Sequence, residues 1–352
     1  MQILPNIQEK INNQILPLVK PKWTPMFKLG LNALSFKPFV SLNSNARTSR
    51  ENGDAAEIQM FRLVNESGMW SIFGSILLAF FTIDDESIVS IDFTMFHPYA
   101  VLYLGLQTRE GRSIPIWFDI IKYPVGKDSQ NIFILDVLRE FLEVVGCTPK
   151  IVCDRGFIGE YLIHGFIDLG LTFYVRMKSG KYWLVNEKRR RLEKQWKLDQ
   201  VGEMYGEKIR VVRSGRTLQK QLKAKEPWFI ISNDFVSSRE MILQTYYFRF
   251  EIEETFKDLK HIFNSSQKYL TKISTLKTIL WFQTLGIWIF WKFNKQTFFT
   301  KQKAKQHLKK KLSWIKYIFE HLTRETTKLV LPEPNTFSVT PCFVHRKEVF
   351  YS

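Results

Sequence analysis

Between Ser87 and Ser179 the order of segments leaves few folds open. "SIVSIDFTMF" (87–96), "VLYLGLQT" (101–108) and "IPIWFDIIKY" (114–123) are rich in β-branched and aromatic residues, and "TREGRS" between the last two has turn chemistry around Gly111. They predict three strands in a meander. "SQNIFILDVLREFLEVVG" (129–146) then switches to helical apolar spacing, opens on a candidate Ser129 cap and stops at Gly146. "PKIVCD" (149–154) is a short buried strand, "GEYLIHGFIDLG" a helix and "TFYVRMKS" (172–179) a further strand. Three meander strands followed by helix–strand–helix–strand predict a mixed α/β sheet.

The stretch after this sheet breaks the order. Residues 180–235 carry "EKRRRLEKQWK", "KIRVVRSG" and "PWFIISND", and predict a basic insertion of short strands and turns. Charge is unevenly placed. The chain has a net charge of +17, yet residues 91–180 hold 9 Lys/Arg against 10 Asp/Glu. Residues 181–230 hold 14 against 6, and residues 260–325 hold 14 against 2. A near-neutral centre flanked by basic segments suits a polyanionic partner that tracks along the surface while the chemistry lies between. Three cysteines, Cys147, Cys153 and Cys342, form neither an even framework nor a C-x-x-C pair, which fits a reducing cytoplasm. The start of the chain lacks a basic segment followed by an apolar run, so no signal peptide is expected. "MWSIFGSILLAFF" (69–81) and "TILWFQTLGIWIFW" (278–291) are strongly apolar, but the second is only 14 residues long and contains Gln283 and Thr284. A membrane span needs about 20 residues, so a buried core helix is expected there.

The stretch "TYYFRFEIEETFKDLKH" (245–261) is the most charged of the apolar-periodic segments. On one helix at about 100° per residue, Phe248, Ile252, Phe256, Leu259 and Phe263 form a core stripe. Tyr246, Arg249, Glu253 and Lys260 share a neighbouring arc of roughly 60°, whereas Glu251, Glu254 and Asp258 lie elsewhere. An i, i+4 ion pair between Arg249 and Glu253 on a solvated face explains this as well as a functional rim does.

The gaps Y-x2-R-x3-E-x6-K, from Tyr246 to Lys260, resemble the Y-R-E-K signature of bacterial insertion-sequence transposases of the insertion sequence 4 group. These are DDE transposases with a ribonuclease-H-like catalytic domain. The resemblance implies a first Asp on the first strand, which Asp92 supplies, and a second after the fourth strand, which Asp154 supplies within "DRGF". It also implies a β-rich insertion before the Glu, and residues 180–235 fill the long gap between Asp154 and Glu253. The implied domain layout is a mostly helical N-terminal region touching DNA ends (1–85), the first part of the catalytic domain (86–179) and the insertion (180–235). The catalytic helix (236–265) and a basic helical C-terminal region (266–352) complete it. Asp92, Asp154 and Glu253 become the expected catalytic and metal-binding acids, holding two Mg²⁺ (or Mn²⁺) ions. Two divalent ions activate the attacking oxygen and stabilise the leaving one, and carboxylates suit them. Three acids crowded together repel one another unless cations are bound.

By the same resemblance, Tyr246, Arg249 and Lys260 contact the DNA backbone near the cut. The implied reaction is cleavage at the element's ends followed by strand transfer into double-stranded target DNA. A homodimer bridging two ends is implied too. Arg155 and the basic run Arg189, Arg190 and Arg191 are further candidates for DNA contact, against a structural strand-end arginine and a solvated basic turn. Trp183 and Trp228 are candidates for stacking on a flipped base, with core packing the competing explanation. A decayed transposase that only grips DNA, a nuclease on the same fold and a membrane-associated basic protein remain alternatives at this point.

Overall fold

The computed structural model of the chain describes residues 69–194, 197–215, 226–263 and 272–305, with scattered positions among the first 31. The sequence also predicts a helix over "DAAEIQMFRLVN", which lies outside these residues, and a basic helix within 301–322, of which only 301–305 are described, as the end of a helix. The meander is present as β1 (Ile88–Phe96), β2 (Tyr99–Leu106) and β3 (Ile114–Lys122). The next elements are α1 (Met69–Phe80) before it and α2 (Lys127–Val145), β4 (Lys150–Cys153), α3 (Glu160–Asp168) and β5 (Phe173–Met177) after it. Short strands follow: β6 (Tyr182–Val185), β7 (Lys188–Arg191), β8 (Asp199–Met204), β9 (Glu207–Arg213) and β10 (Phe229–Ser232). Three helices close the described chain: α4 (Arg239–Tyr247), α5 (Phe250–Phe263) and α6 (Ile273–Lys305).

The strands make one mixed sheet in the order β3-β2-β1-β4-β5-β10-β9-β8-β6-β7. β1, β4 and β5 run parallel to one another, and β2 is antiparallel to both β1 and β3, so the β3-β2-β1-β4-β5 half is ribonuclease-H-like. The basic strands extend this sheet from the edge of β5, because β10 pairs antiparallel with both β5 and β9. The period-two alternation of strands is visible in the packing. Val152, Tyr174, Val212 and Ile230 join Ile242, Leu243 and Tyr246 of α4 in one cluster. Their strand neighbours Ile151, Cys153, Val175, Val211 and Ile231 belong to the larger core with α2 and α3.

Helix ends follow local rules with one exception. Gly146 closes α2 in the left-handed conformation, with φ 67°, as its sequence position suggests. Its start differs: Gly126 is the cap, and Ser129 sits inside the first turn. Ser238 does cap α4, accepting from the Met241 amide.

The apolar run 278–291 lies in the core as part of α6. Trp281, Phe282, Leu285, Ile287 and Trp288 are buried, and Trp288 donates its indole N–H to the Pro115 carbonyl at 2.6 Å. Phe73 of α1 packs between Trp281 and Trp288, at ring distances of 5.2 and 4.5 Å. Burying one such indole contributes roughly 4–6 kcal/mol at about 25 cal/mol per Å². No helix among the described residues is long and apolar enough to cross a membrane.

Candidate active site

Asp92 stands in the middle of β1, and Asp154 immediately follows β4. Parallel pairing aligns Ile91 with Cys153, so the next residue on each strand, Asp92 and Asp154, comes out at the same level. Asp154 caps a short 3₁₀ turn, accepting from the Arg155 amide at 2.6 Å, while Asp92 accepts from the Phe93 amide at 2.8 Å. The third element is α5. It crosses the face that Asp92 shares with its cross-strand partner Tyr103, whose ring meets Phe256 at 5.5 Å. Gly105 on β2 permits this crossing: a Cβ there would meet Ser113 Oγ at 2.6 Å and Ile252 Cδ1 at 3.3 Å.

The stretch 246–263 is not one helix. α4 ends at Tyr247, α5 begins at Phe250, and Arg249 lies in the joint. Here the amides of Arg249, Glu251 and Ile252 bond three residues back rather than four. The joint contains the run Tyr246, Tyr247, Phe248, all weaker helix formers than straight-chain residues. Tyr246 and Phe250 both pack on the Trp228 indole, at 5.2 and 5.7 Å, which draws the chain inward on both sides of the joint. The single-arc picture therefore fails for Tyr246. Its side chain is fully buried and its hydroxyl has no hydrogen-bond partner among the described residues.

Arg249 is turned into the protein, and its guanidinium lies 4.7 Å from the Phe250 ring and 5.6 Å from the Tyr246 ring. Its Nη2 donates to Glu253 Oε1 at 2.6 Å and its Nη1 faces Asp92 Oδ2 at 3.5 Å, while its Nε is buried without a hydrogen-bond partner among the described residues. The expected i, i+4 pair thus exists, but it points inward and joins Glu253 to Asp92. Burial pushes the Asp92 carboxyl up to about 6; Arg249 and the Phe93 amide oppose this, and the charges of Glu253 and Asp154 add to it. Burial would lower the pKa of Arg249, but the Tyr246 phenol and the three acids raise it above the ordinary range. The crowding of carboxylates is relieved from within, by an arginine. Among the described residues no group of three or more His, Cys, Asp or Glu side chains is drawn close enough to hold a metal ion, and the Arg249 guanidinium contacts both Asp92 and Glu253.

The other candidates divide by distance from this cluster. Lys260 is on α5, partly exposed, two turns beyond Glu253. Arg155 is beside Asp154 and half exposed, with its Nη1 4.0 Å from Glu226. Arg176 on β5 reaches the same Glu226 at 3.6 Å and lies 5.8 Å from the Trp228 ring. Neither Arg176 nor Glu226 stands out in the sequence, because one is an arginine in an apolar strand and the other an acid in a basic segment. Arg189, Arg190 and Arg191 are exposed on the edge strand β7. Arg189 stacks over Tyr182 at 4.5 Å, and Arg191 donates to its hydroxyl at 2.8 Å. They are seven strand spacings from β1, roughly 34 Å along the sheet at about 4.8 Å each. Both tryptophans proposed for base stacking are buried: Trp183 packs on Gly202, and Trp228 on Tyr246 and Phe250. Neither offers an open ring face in this conformation, and core packing accounts for both.

Two neighbouring carboxylates of α5 have different surroundings. Glu253 faces Arg249 and Asp92. Glu251 is buried and accepts three backbone amides of the β2–β3 turn. The sequence marks Glu251 only as another acid of the stretch, and nothing in its spacing announces this role.

A search of the curated proteins gives no match. The family profile of the transposase DDE domain matches residues 106–289, which takes in Asp154 and the whole of Tyr246–Lys260 and begins after Asp92. That match covers more than half of the 352-residue chain, on a ribonuclease-H-like sheet, and the chain belongs to the transposase DDE domain family.

Proposed function

We propose that this chain cuts DNA at the ends of an insertion sequence of the insertion sequence 4 type and joins those ends to target DNA. The observation that carries the proposal is that Arg249 bridges Asp92 of β1 and Glu253 of α5, while Asp154, at the end of β4, comes out level with Asp92. The donor set is all carboxylate oxygen, which suits Mg²⁺ or Mn²⁺. Asp92, Asp154 and Glu253 are the residues that would hold the metal, with Arg249 yielding one of its two acids to it. A bound divalent ion supplies charge neutralisation for an in-line displacement at phosphorus. In the first step water attacks the phosphodiester and the 3′ oxygen of the element leaves as a hydroxyl. In the second, that hydroxyl attacks a target phosphodiester and displaces a target 3′ oxygen.

Lys260 and Arg155, which reach the surface, contact backbone phosphate beside the cut by charge-assisted bonds, whereas the buried Tyr246 and Arg249 serve the acid cluster from inside rather than touching the backbone. The exposed ribbon β6–β7, with Arg189, Arg190 and Arg191, grips duplex further along, where only phosphate tracking is needed. The N-terminal region 1–85 and the basic region 266–352 add DNA contacts, and two copies bridge two ends. The domain limits 86–179, 180–235 and 236–265 describe the catalytic half, its insertion and its last helix.

The test uses DNA flanking the reading frame, incubated with purified full-length protein and Mg²⁺ or Mn²⁺ beside Glu253→Ala. Breaks at one defined position near each flank, absent in the variant, are expected. Binding without breaks by either protein would point to a DNA-gripping protein without catalysis. Breaks that persist in Glu253→Ala would remove α5 from the active site.

A further inference from the structure

The joint between α4 and α5 decides where Glu253 stands, and the turn between β2 and β3 grips that joint from the outside. Glu251 Oε2 accepts from the amides of Thr108 and Arg109 at 2.9 and 3.2 Å, and its Oε1 accepts from Gly111 at 2.8 Å. The turn is held in an uncommon shape, since Arg109 has φ 61° and Gly111 φ 86°. A non-glycine residue there needs outside support. Its guanidinium lies over the Phe248 ring of the joint at 5.7 Å. Arg112 bonds Asp258 at 2.7 Å, and the Thr255 hydroxyl donates to the Ser113 carbonyl at 3.0 Å, so the grip extends along α5. On the α4 side, Gln107 donates to the Thr245 carbonyl at 3.2 Å and to Ser90 Oγ at 2.9 Å. Ser90 is two residues before Asp92 on β1. One loop therefore ties the strand of Asp92, the end of α4 and the start of α5 together.

We propose that Glu251 is a positioning residue, whose carboxylate locks the 108–111 turn against α5 and so sets where the Glu253 carboxylate lies relative to Asp92. Both of its oxygens are committed to amides, so it is not itself a ligand of the catalytic centre. A buried carboxylate at this place ties the turn to α5, and an apolar residue would leave three amides unbonded. The inference rests on the transposase proposal above, because it concerns the geometry of that same acid cluster.

The experiment compares full-length wild type, Glu251→Gln, Glu251→Ala and Glu253→Ala. It measures single-turnover end cleavage at saturating protein, DNA affinity by titration, and Mn²⁺ affinity of the metal-free protein by electron paramagnetic resonance. Misplacing one acid by about 1 Å costs on the order of a hundredfold in rate, so that loss is expected for Glu251→Ala. Glu251→Gln keeps one acceptor oxygen and is expected to lose about tenfold. Mn²⁺ affinity is expected to fall by about tenfold in Glu251→Ala, as for other residues that orient a ligand. DNA affinity stays within about twofold in both, because Glu251 is buried and its oxygens are committed to the turn. If Glu251→Ala does not fold, Glu251→Gln alone decides. Cleavage and Mn²⁺ affinity at wild-type levels in the folded variants, whatever happens to their melting temperature, would overturn the positioning role and leave the transposase proposal standing. A wild type that neither cuts nor binds Mn²⁺ would overturn both.

Discussion

Two buried arginines of this chain, Arg210 on β9 and Arg249 in the helix joint, face acids in opposite ways. Arg210 is closed. Its Nε and Nη2 form a fork on Asp199 at 2.9 and 2.6 Å, and its Nη1 donates to the carbonyls of Asp234 and Ser237 at 3.1 and 2.6 Å. Asp234 is closed too, accepting from the Val236 and Ser237 amides and from the Tyr174 hydroxyl. Arg249 is open. It has one short bond to Glu253, a long one to Asp92 and an orphaned Nε, with three acids acting on one cation. The acids record the difference: Asp92 is pushed up to about 6, whereas at Asp234 the Ser237, Tyr174 and Val236 donors overcome burial and bring the carboxyl down to about 2. A network that only holds a fold can satisfy every donor. Under the proposed reaction the second network must exchange partners, and its surplus of acids over the one cation suits that.

The largest expected effect tests the open side. Asp92→Asn is expected to lower metal-dependent end cleavage by about a thousandfold or more, measured at single turnover, while DNA affinity changes little. Next comes a pair of truncations that separates the two arginines. Arg210→Ala leaves Asp199 and two carbonyls without their donor and is expected to cost about 3 kcal/mol of stability, with no response to Mg²⁺. Arg249→Ala removes the internal cation from three acids. Its melting temperature is expected to fall in chelator and to recover with millimolar Mg²⁺, since a metal can then do what the guanidinium did. Equal Mg²⁺ responses in the two variants would end the distinction between them.

How much of this was legible beforehand depended on the range of the interaction. β1 to β5 and α2, α3 follow from local period and turn chemistry, and the structure has them within a residue or two of their expected limits. Parallel pairing of β1 with β4 follows from the element order, and it is what brings Asp92 and Asp154 level. The joint at Phe248–Arg249 was not legible, because it depends on Trp228, some twenty residues away, accepting Tyr246 and Phe250 together. The inward turn of Arg249 followed from that joint, so helical angles alone put it on a solvated rim. Glu251 was set aside for the same reason: its partners at 108–111 are long-range in sequence and are backbone groups, which leave no trace in residue identity. The basic strands were legible as short strands, but not as an extension of the catalytic sheet, since pairing of β10 with β5 is set by the whole fold.

The two smaller predictions concern pH. Asp92 has its folded pKa raised from 3.8 to about 6, so ionising it opposes folding above about pH 6 and not below pH 4. In metal-free protein Asp92→Asn is expected to melt higher than wild type at pH 8, by an amount that vanishes towards pH 4. The full shift sets an upper bound of about 3 kcal/mol. Asp234 has the opposite sign. Its folded pKa is lowered from 3.8 to about 2, so its contribution is complete above about pH 4 and is lost as the pH falls towards 2. With solvent screening, that contribution is on the order of 1 kcal/mol. Asp234→Asn is therefore expected to lower stability at pH 7 and to converge on wild type in acid, read from urea midpoints at a series of pH values. Convergence from below for Asp234→Asn, and from above for Asp92→Asn, is the signature of one closed and one open network. Two curves approaching wild type from the same side would mean that both acids serve the fold alone.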